Sequence, residues 1–304
     1  MSKSNVIAVI ITALNEERTI GGIVEKTKSV LGNDNIIIVV DDGSHDSTAK
    51  IAREKGATFV ISHEKNRGVG AAFKTGVLQA LSSNADIIVK MDGDGQHLPE
   101  EIPKLIQPIL DDEADVVLGT RFSQKIQMPL TKKIGNRIVT WLMRKSTGYT
   151  LTDTQTGFRA IRGTKAQLLL PSAGVFTYCQ EMIIHAAKNG IKIVEVPITV
   201  KERKHGKSRV VRNPIAYGFK VILILLRTFR DYSPLLTFGV FGIVLLGFSF
   251  FLYLHLFYDW VVQGISFTSN PITFQIATIL LVSSIQILLF AFLADMIKGL
   301  KAKE

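Results

Sequence analysis

The sequence predicts an α/β domain built on a mostly parallel sheet, followed by an interfacial helix and two transmembrane helices. Three observations carry this. Short β-branched runs alternate with helical patterns through roughly the first 200 residues. Two nearly uncharged apolar runs, Leu235–Tyr258 and Ile272–Ala294, come near the end of the chain, and an excess of Lys and Arg lies just before them.

Strands are expected at Val6–Ile11, Ile36–Val40, Thr58–Ile61, Ile87–Met91 and Val116–Gly119. Helices are expected at Glu16–Leu31, Ser47–Lys55, Val69–Leu81 and Pro99–Leu110. Strands that alternate with helices in this way form a parallel sheet covered on both faces. Ligands of such sheets bind beyond the carboxyl ends of the strands, where this chain carries Asn15-Glu16, Asp41-Asp42 and Asp92-Gly93-Asp94. There is no internal repeat and no low-complexity segment.

At about 1.5 Å per residue, each apolar run reaches roughly 35 Å as a helix, enough to cross a hydrocarbon core of about 30 Å. A buried core helix is the alternative for either run, but two in succession favour spans, as does a mean hydropathy of +0.26. Residues Met1–Asn5 lead into a strand rather than a signal-peptide pattern, and the single cysteine, Cys179, leaves no intramolecular disulfide. A cytoplasmic main domain is therefore expected.

Charge is uneven: the net is −5 over residues 1–122, +15 over 123–231 and 0 over 232–304, within a total of +10. A basic belt just before two spans meets anionic headgroups or a lipid-linked phosphate more simply than it meets nucleic acid, and no nucleic-acid partner is expected. The loop Asp259–Pro271 lacks Lys and Arg, whereas the tail has Lys298, Lys301 and Lys303. The positive-inside rule then places the main domain and the tail in the cytoplasm. Pro214–Arg230, apolar at its centre with flanking cations, reads as an interfacial helix. The expected organisation is a main domain over 1–210, an interfacial helix over 211–232 and a two-span domain over 233–304. The spans also permit homo-oligomerisation.

The stretch Gly68-Val-Gly-Ala-Ala-Phe-Lys74-Thr75 suggests a phosphate loop, but Phe73 stands where the glycine before the lysine is required. The turn after the first strand, Thr12-Ala-Leu-Asn-Glu16, also lacks a dinucleotide fingerprint. What remains is an acidic cluster at the strand ends. Carboxylates this close repel one another unless a cation lies between them, and oxygen donors suit a hard divalent ion, Mg²⁺ or Mn²⁺, which can itself hold a diphosphate.

Six segments, ITALNEE (11–17), VVDDGSHDST (39–48), NRGVGAAFKTG (66–76), MDGDGQH (91–97), GTR (119–121) and DTQTGFR (153–159), occur in an order that resembles family 2 glycosyltransferases of the GT-A fold. The chain is most similar to the polyprenyl-phosphate branch, the dolichyl-phosphate mannose or glucose synthases and their bacterial relatives, over roughly residues 5–210. Thr12 departs from the family, which often has proline there; that position shapes a turn.

The resemblance implies a nucleotide-sugar donor of the GDP-mannose or UDP-glucose class, a polyprenyl or dolichyl phosphate acceptor, and Mg²⁺ or Mn²⁺. Asp92 and Asp94 match the DXD pair, with Asp94 the direct ligand and Gln96 an additional one. Glu16 and Asp42 match positions that hold base and ribose, although Asp42 could instead cap the helix near Ser47. Asp41 orients the same loop. Arg67 and Lys74 line the nucleotide site, or Lys74 sits on a solvated helix face. Arg121 faces the reacting phosphates, and with Lys132 and Arg137 it meets the acceptor phosphate, unless these last two are surface charges. Arg203, Lys207 and Ser208 resemble the basic loop that closes over the diphosphate. Asp153 is a base or a positioning residue, because an anionic phosphate acceptor needs no proton removed, whereas a sugar hydroxyl does. Glu181 supports the site or forms a surface ion pair, and His97 reads as a turn residue rather than a ligand.

The implied reaction is inverting transfer of a hexose, mannose or glucose, to the lipid phosphate. A polysaccharide synthase is the alternative enzyme, against which stand only two spans and no Gln-x-x-Arg-Trp motif. A non-catalytic nucleotide-sugar-binding module is the third reading, and it leaves the paired carboxylates without a purpose.

Overall fold

A computed structural model describes residues 5–32, 34–121, 140–141, 143–145, 147–170, 178–201, 234–266 and 269–301. The chain divides into two compact units, Met1–Lys207 and Ser208–Glu304.

The first unit is a seven-stranded sheet. In chain order its elements are β1 (Ile7–Ala13), α1 (Ile20–Leu31), β2 (Ile36–Asp41), α2 (Thr48–Glu54), β3 (Phe59–Ser62), α3 (Val69–Ser82), β4 (Ile87–Asp92), α4 (Ile102–Leu110), β5 (Val116–Thr120), β6 (Arg159–Arg162), α5 (Tyr178–Lys188) and β7 (Ile193–Pro197). A 3₁₀ turn, Pro99–Glu101, leads into α4. The strand order is β3-β2-β1-β4-β6-β5-β7. All pairings are parallel except those of β6, which runs antiparallel between β4 and β5.

Every strand and helix expected over residues 6–119 is present, with ends shifted by a few residues. The largest shift is at α1, which starts at Ile20 rather than Glu16. Asn15 adopts φ +49°, so the chain turns there, and the helix begins only after Thr19 donates its hydroxyl to the Gly93 carbonyl at 2.6 Å. Two strands lie beyond the five expected. Arginines at both ends of β6 and Glu195 inside β7 hide the apolar alternation by which strands are recognised.

Alternation along the strands fills both faces. Val9, Ile11, Val39, Val89 and Met91 pack with Ile20, Ile23 and Val24 of α1 and with Ile102, Leu105 and Ile109 of α4. On the other face Ala8, Ile10, Ile38, Val40 and Ile88 are buried. Here α3 lies so close that a Cβ on Gly76 would come 2.4 Å from Ile10 Cγ2. Phe73 of α3 meets Tyr178 of α5 at 5.4 Å between ring centroids.

The second unit contains α6 (Pro234–Gln263) and α7 (Pro271–Lys301). Within them Phe238–Gln263 and Pro271–Ile297 are long and apolar enough to cross a membrane, and only 17% of the residues in the most apolar window of each are buried. Core helices would be mostly buried, and these are not. Large side chains such as Phe241, Phe248, Phe251, Phe290 and Phe292 face outward. The two helices pair antiparallel through small and hydroxyl groups: Ser249 Oγ donates to the Ala277 carbonyl at 2.8 Å, and Tyr253 and Thr278 share a hydrogen bond at 2.8 Å. Gly242 lets Leu288 approach, since a Cβ there would lie 2.8 Å from Leu288 Cγ. The interfacial helix expected over 211–232 lies outside the described residues.

Candidate active site

The chain winds from β1 outward to β3 and then returns to place β4 on the other side of β1. In sheets of this kind the ligand crevice lies where the winding reverses, here at the carboxyl ends of β1 and β4. Thr12 and Asp92 are register partners there, 3.3 Å apart between Thr12 Oγ1 and Asp92 Oδ1.

The turns after β1 and β2 form one wall and are laced together. The Asn15 amide donates to Ser44 Oγ at 2.8 Å, Asn15 Oδ1 accepts from the His45 amide at 2.8 Å, and the Glu16 amide donates to Thr48 Oγ1 at 2.8 Å. Glu16 is half-buried at the head of this turn. Asp41 is buried and accepts from the Ser44 amide at 3.0 Å and from its hydroxyl, so it shapes the turn after β2. Asp42 is also buried. Its Oδ1 meets His63 Nδ1 at 2.7 Å and the Arg67 amide at 2.9 Å, and its Oδ2 accepts from the Gly68 amide at 2.7 Å. Asp42 therefore fixes the connection into α3. The start of α2 is served instead by Asp46, which accepts from the Thr48 amide at 3.0 Å. The side chains of Arg67 and Lys74 are exposed.

The turn after β4 carries Asp92, Asp94 and Gln96. Lys90 and Asp92 share one face of β4 by strand alternation, and the fully buried Lys90 ammonium is paired with Asp92 Oδ1. Burial opposes ionisation of Asp92, but the charge of Lys90 overrides it and holds the carboxyl well below its usual range. Burial likewise acts to lower Lys90, and Asp92 overrides it to raise the ammonium above the ordinary lysine value. A Cβ on Gly157 would stand 2.6 Å from Asp92 Oδ2, so this glycine makes room for the carboxylate. Gly93 serves β1 in the same way, with a Cβ there only 3.0 Å from that of Ala13, and Gly95 turns the chain at φ +77°. Asp94 Oδ1 accepts from the Gln96 amide at 3.1 Å. Gln96 donates through Nε2 to the Lys201 carbonyl at 3.3 Å, and the Lys201 amide returns a bond to the Gln96 carbonyl at 3.0 Å.

His97 is more than a turn residue. It is buried and stacks on Phe158 with 5.0 Å between centroids. Burial pushes it down to about 4 against the pull of Asp92. The ring is thus neutral at neutral pH, and its Nδ1 accepts the Asp92 amide at 3.1 Å.

Arg121 follows β5 and forks onto Asp153, with Nε–Oδ2 at 2.7 Å and Nη2–Oδ1 at 3.0 Å. The Asp153 side chain is fully buried, while that of Arg121 is 25% exposed. Glu195 of β7 holds this segment by accepting from the Thr152 and Asp153 amides at 2.8 Å. Glu181 lies in the first turn of α5. Lys132, Arg137, Arg203, Lys207 and Ser208 lie outside the described residues.

Sequence reasoning missed Lys90, Arg159 and Glu195. The signal for Lys90 was present: a lone cation in an apolar strand, two residues before an aspartate and on the same side of the sheet.

The donor set suits a hard cation shared with a ligand. Two carboxylates and a carboxamide border one turn, and Mg²⁺ is commonly held by one or two carboxylates together with substrate phosphates. Among the described residues no group of three or more His, Cys, Asp or Glu could cage a metal unaided.

The pattern of glycosyl transferase family 2 matches residues 8–167, more than half of the chain. A UDP-N-acetylglucosamine–dolichyl-phosphate N-acetylglucosaminyltransferase of Methanococcus voltae is 36% identical over 241 residues, covering 72% of this chain and 94% of its own. An undecaprenyl-phosphate mannosyltransferase of Micrococcus luteus is 32% identical over 185 residues, 57% of this chain and 75% of its own. Among solved structures, glucosyl-3-phosphoglycerate synthase of Mycobacterium tuberculosis, in complex with Mn²⁺, UDP and glucosyl-3-phosphoglycerate, superposes with a TM-score of 0.58 at 24% identity, covering 74% of this chain and 80% of that one. The fold is thus of the GT-A type, and the chain belongs to glycosyl transferase family 2.

Proposed function

We propose that this glycosyltransferase moves a hexose unit from a nucleotide-sugar to the phosphate of a membrane polyprenyl lipid, with inversion at the anomeric carbon. One observation supports the choice of acceptor: Asp153, the candidate base, is fully buried and clamped by Nε and Nη2 of Arg121. A sugar hydroxyl needs its proton removed by an accessible base, whereas a phosphate monoester is already anionic. Relatives that act on dolichyl and undecaprenyl phosphates support this reading, as do the two lipid-length apolar helices.

The proposed roles are these. Glu16 and the turns held by Asp41 and Asp42 receive the nucleoside, with Arg67 and Lys74 along its edge. Asp94, with Asp92 and Gln96, would hold Mg²⁺ or Mn²⁺, which when bound offsets the charge on a departing diphosphate. Arg121 presents its exposed edge to the phosphates while Asp153 orients it. Lys132 and Arg137 meet the acceptor phosphate, and Arg203, Lys207 and Ser208 meet the diphosphate, by resemblance to the family. The lipid's tail stays in the bilayer, so the acceptor reaches the site by lateral diffusion.

The test is transfer itself. Purified protein is incubated with radiolabelled UDP-N-acetylglucosamine, UDP-glucose or GDP-mannose and a polyprenyl phosphate. One label should become organic-extractable and be released by mild acid. Label found only in water-soluble oligosaccharide would favour the polysaccharide-synthase reading.

The catalytic domain and tail are proposed to be cytoplasmic, on the positive-inside argument. A reporter fused after Glu304 should be cytoplasmic, and one inserted near Gly264 should lie across the membrane. Both reporters on one side would rule out two crossings.

A further inference from the structure

Beneath the acidic turn lie more buried cations than that turn needs. Lys90 and Arg159 are register partners on β4 and β6, and neither is exposed to solvent. Both sit against the Tyr178 ring, with Lys90 Nζ 5.7 Å and Arg159 Cζ 5.2 Å from its centroid. Arg159 is bonded to the Thr156 carbonyl, to Cys179 Sγ at 2.8 Å and to Met182 Sδ at 3.4 Å, none of which carries a carboxylate's charge, and its Nε has no partner among the described residues. Lys90 alone reaches an acid, Asp92 Oδ1, which also receives Thr12 Oγ1.

Stability does not call for this arrangement. Taking an ammonium out of water costs several kcal/mol, and a well-packed apolar side chain in place of a buried ion pair is often neutral or better. An ammonium kept at this cost defines where its partner points. The Asp92 carboxylate remains 35% exposed, so it borders the crevice while Lys90 holds it from below.

We propose that Lys90 is a positioning residue for the metal turn: it takes one oxygen of Asp92 and cancels its charge, so that Asp94 carries the cation while the buried positive charge favours the diphosphate. This rests on the metal-dependent reading above. The consequence has opposite signs for the two ligands. Without the Lys90 charge, Asp92 recovers its full attraction for a cation, and a polyanion loses a nearby counter-charge.

The test uses full-length protein in detergent and the variants Lys90→Met and Lys90→Gln, whose folding is checked by thermal unfolding. Mn²⁺ binding is read by electron paramagnetic resonance without nucleotide, and UDP and GDP binding by calorimetry in EDTA. Both variants should bind Mn²⁺ several-fold more tightly and the nucleoside diphosphate several-fold more weakly. In an Asp92→Asn background the effect of Lys90 on Mn²⁺ should shrink to the direct repulsion between ammonium and cation. A residue of purely structural value would weaken both ligands together, and that result, or no change in either, overturns the proposal. Should the uncharged variants fail to fold, Lys90→Arg decides: keeping the charge, it should hold both affinities within about twofold, and a larger loss of both counts against the proposal. Wild-type protein that binds no Mn²⁺ even with UDP or GDP would instead defeat the metal reading itself.

Discussion

Asp94→Ala should lower sugar transfer on the order of a thousandfold, about 4 kcal/mol of transition-state stabilisation, while changing stability by no more than about 1 kcal/mol. The two effects separate because Asp94 lies past the end of β4, outside the packed core, and its described bond is to the Gln96 amide. In the proposed mechanism it would supply a ligand for the cation that offsets charge on the departing diphosphate. Chelation of the wild-type protein should reproduce the loss, and added Mg²⁺ or Mn²⁺ should restore it. Full turnover in excess EDTA would eliminate the metal role. Initial rates and thermal unfolding of the same preparations check both halves.

Arg121→Ala should damage both activity and stability. It strips the partner from a fully buried carboxylate, and breaking a buried pair costs about 3–5 kcal/mol. In the proposed mechanism it would also remove a cation from the place where one anion approaches another, an interaction worth about a few kcal/mol in a water-poor site. Asp153→Asn should be milder. The guanidinium keeps one neutral acceptor and its partial exposure, and no proton transfer is lost, so measurable turnover should remain. Arg121→Lys tests the geometry, since a lysine keeps the charge but cannot fork onto both oxygens. The measurement is initial rate with polyprenyl phosphate and with a free oligosaccharide, below the unfolding temperature of every variant. Transfer only to the oligosaccharide, with Asp153→Asn inactive and Arg121→Ala near normal, would reverse the assignment of the acceptor.

The parts of the site that were legible in the sequence are those built from contiguous residues. Asp92, Asp94 and Gln96 announce themselves because a strand of β-branched residues ends abruptly in carboxylates and glycines. The partners of Asp42 and Asp153 were not legible, because they come from distant segments. Asp42 is held by His63 and by the amides of Arg67 and Gly68, across more than 20 residues. Asp153 is held by Arg121 at a separation of 32. Nothing in local spacing distinguishes a carboxylate that is clamped from one that faces a ligand. His97 shows the same limit: a histidine in a Gly-rich turn reads as solvated, and only the ring of Phe158 beneath it makes it a buried, neutral acceptor.

The sequence by itself determined the alternation of strands and helices, the acidic strand ends and the two apolar helices, since each depends on the period and polarity of neighbouring residues. Only the tertiary structure decided that β6 enters antiparallel between β4 and β5, and that choice sets the chemistry of the site. It brings Arg159 beside Lys90, seats Gly157 against Asp92 and leads from the Asp153 that Arg121 clamps. The reason is physical: strand pairing and burial are settled by which segments exclude water together, and that competition runs over the whole chain rather than within any stretch of it.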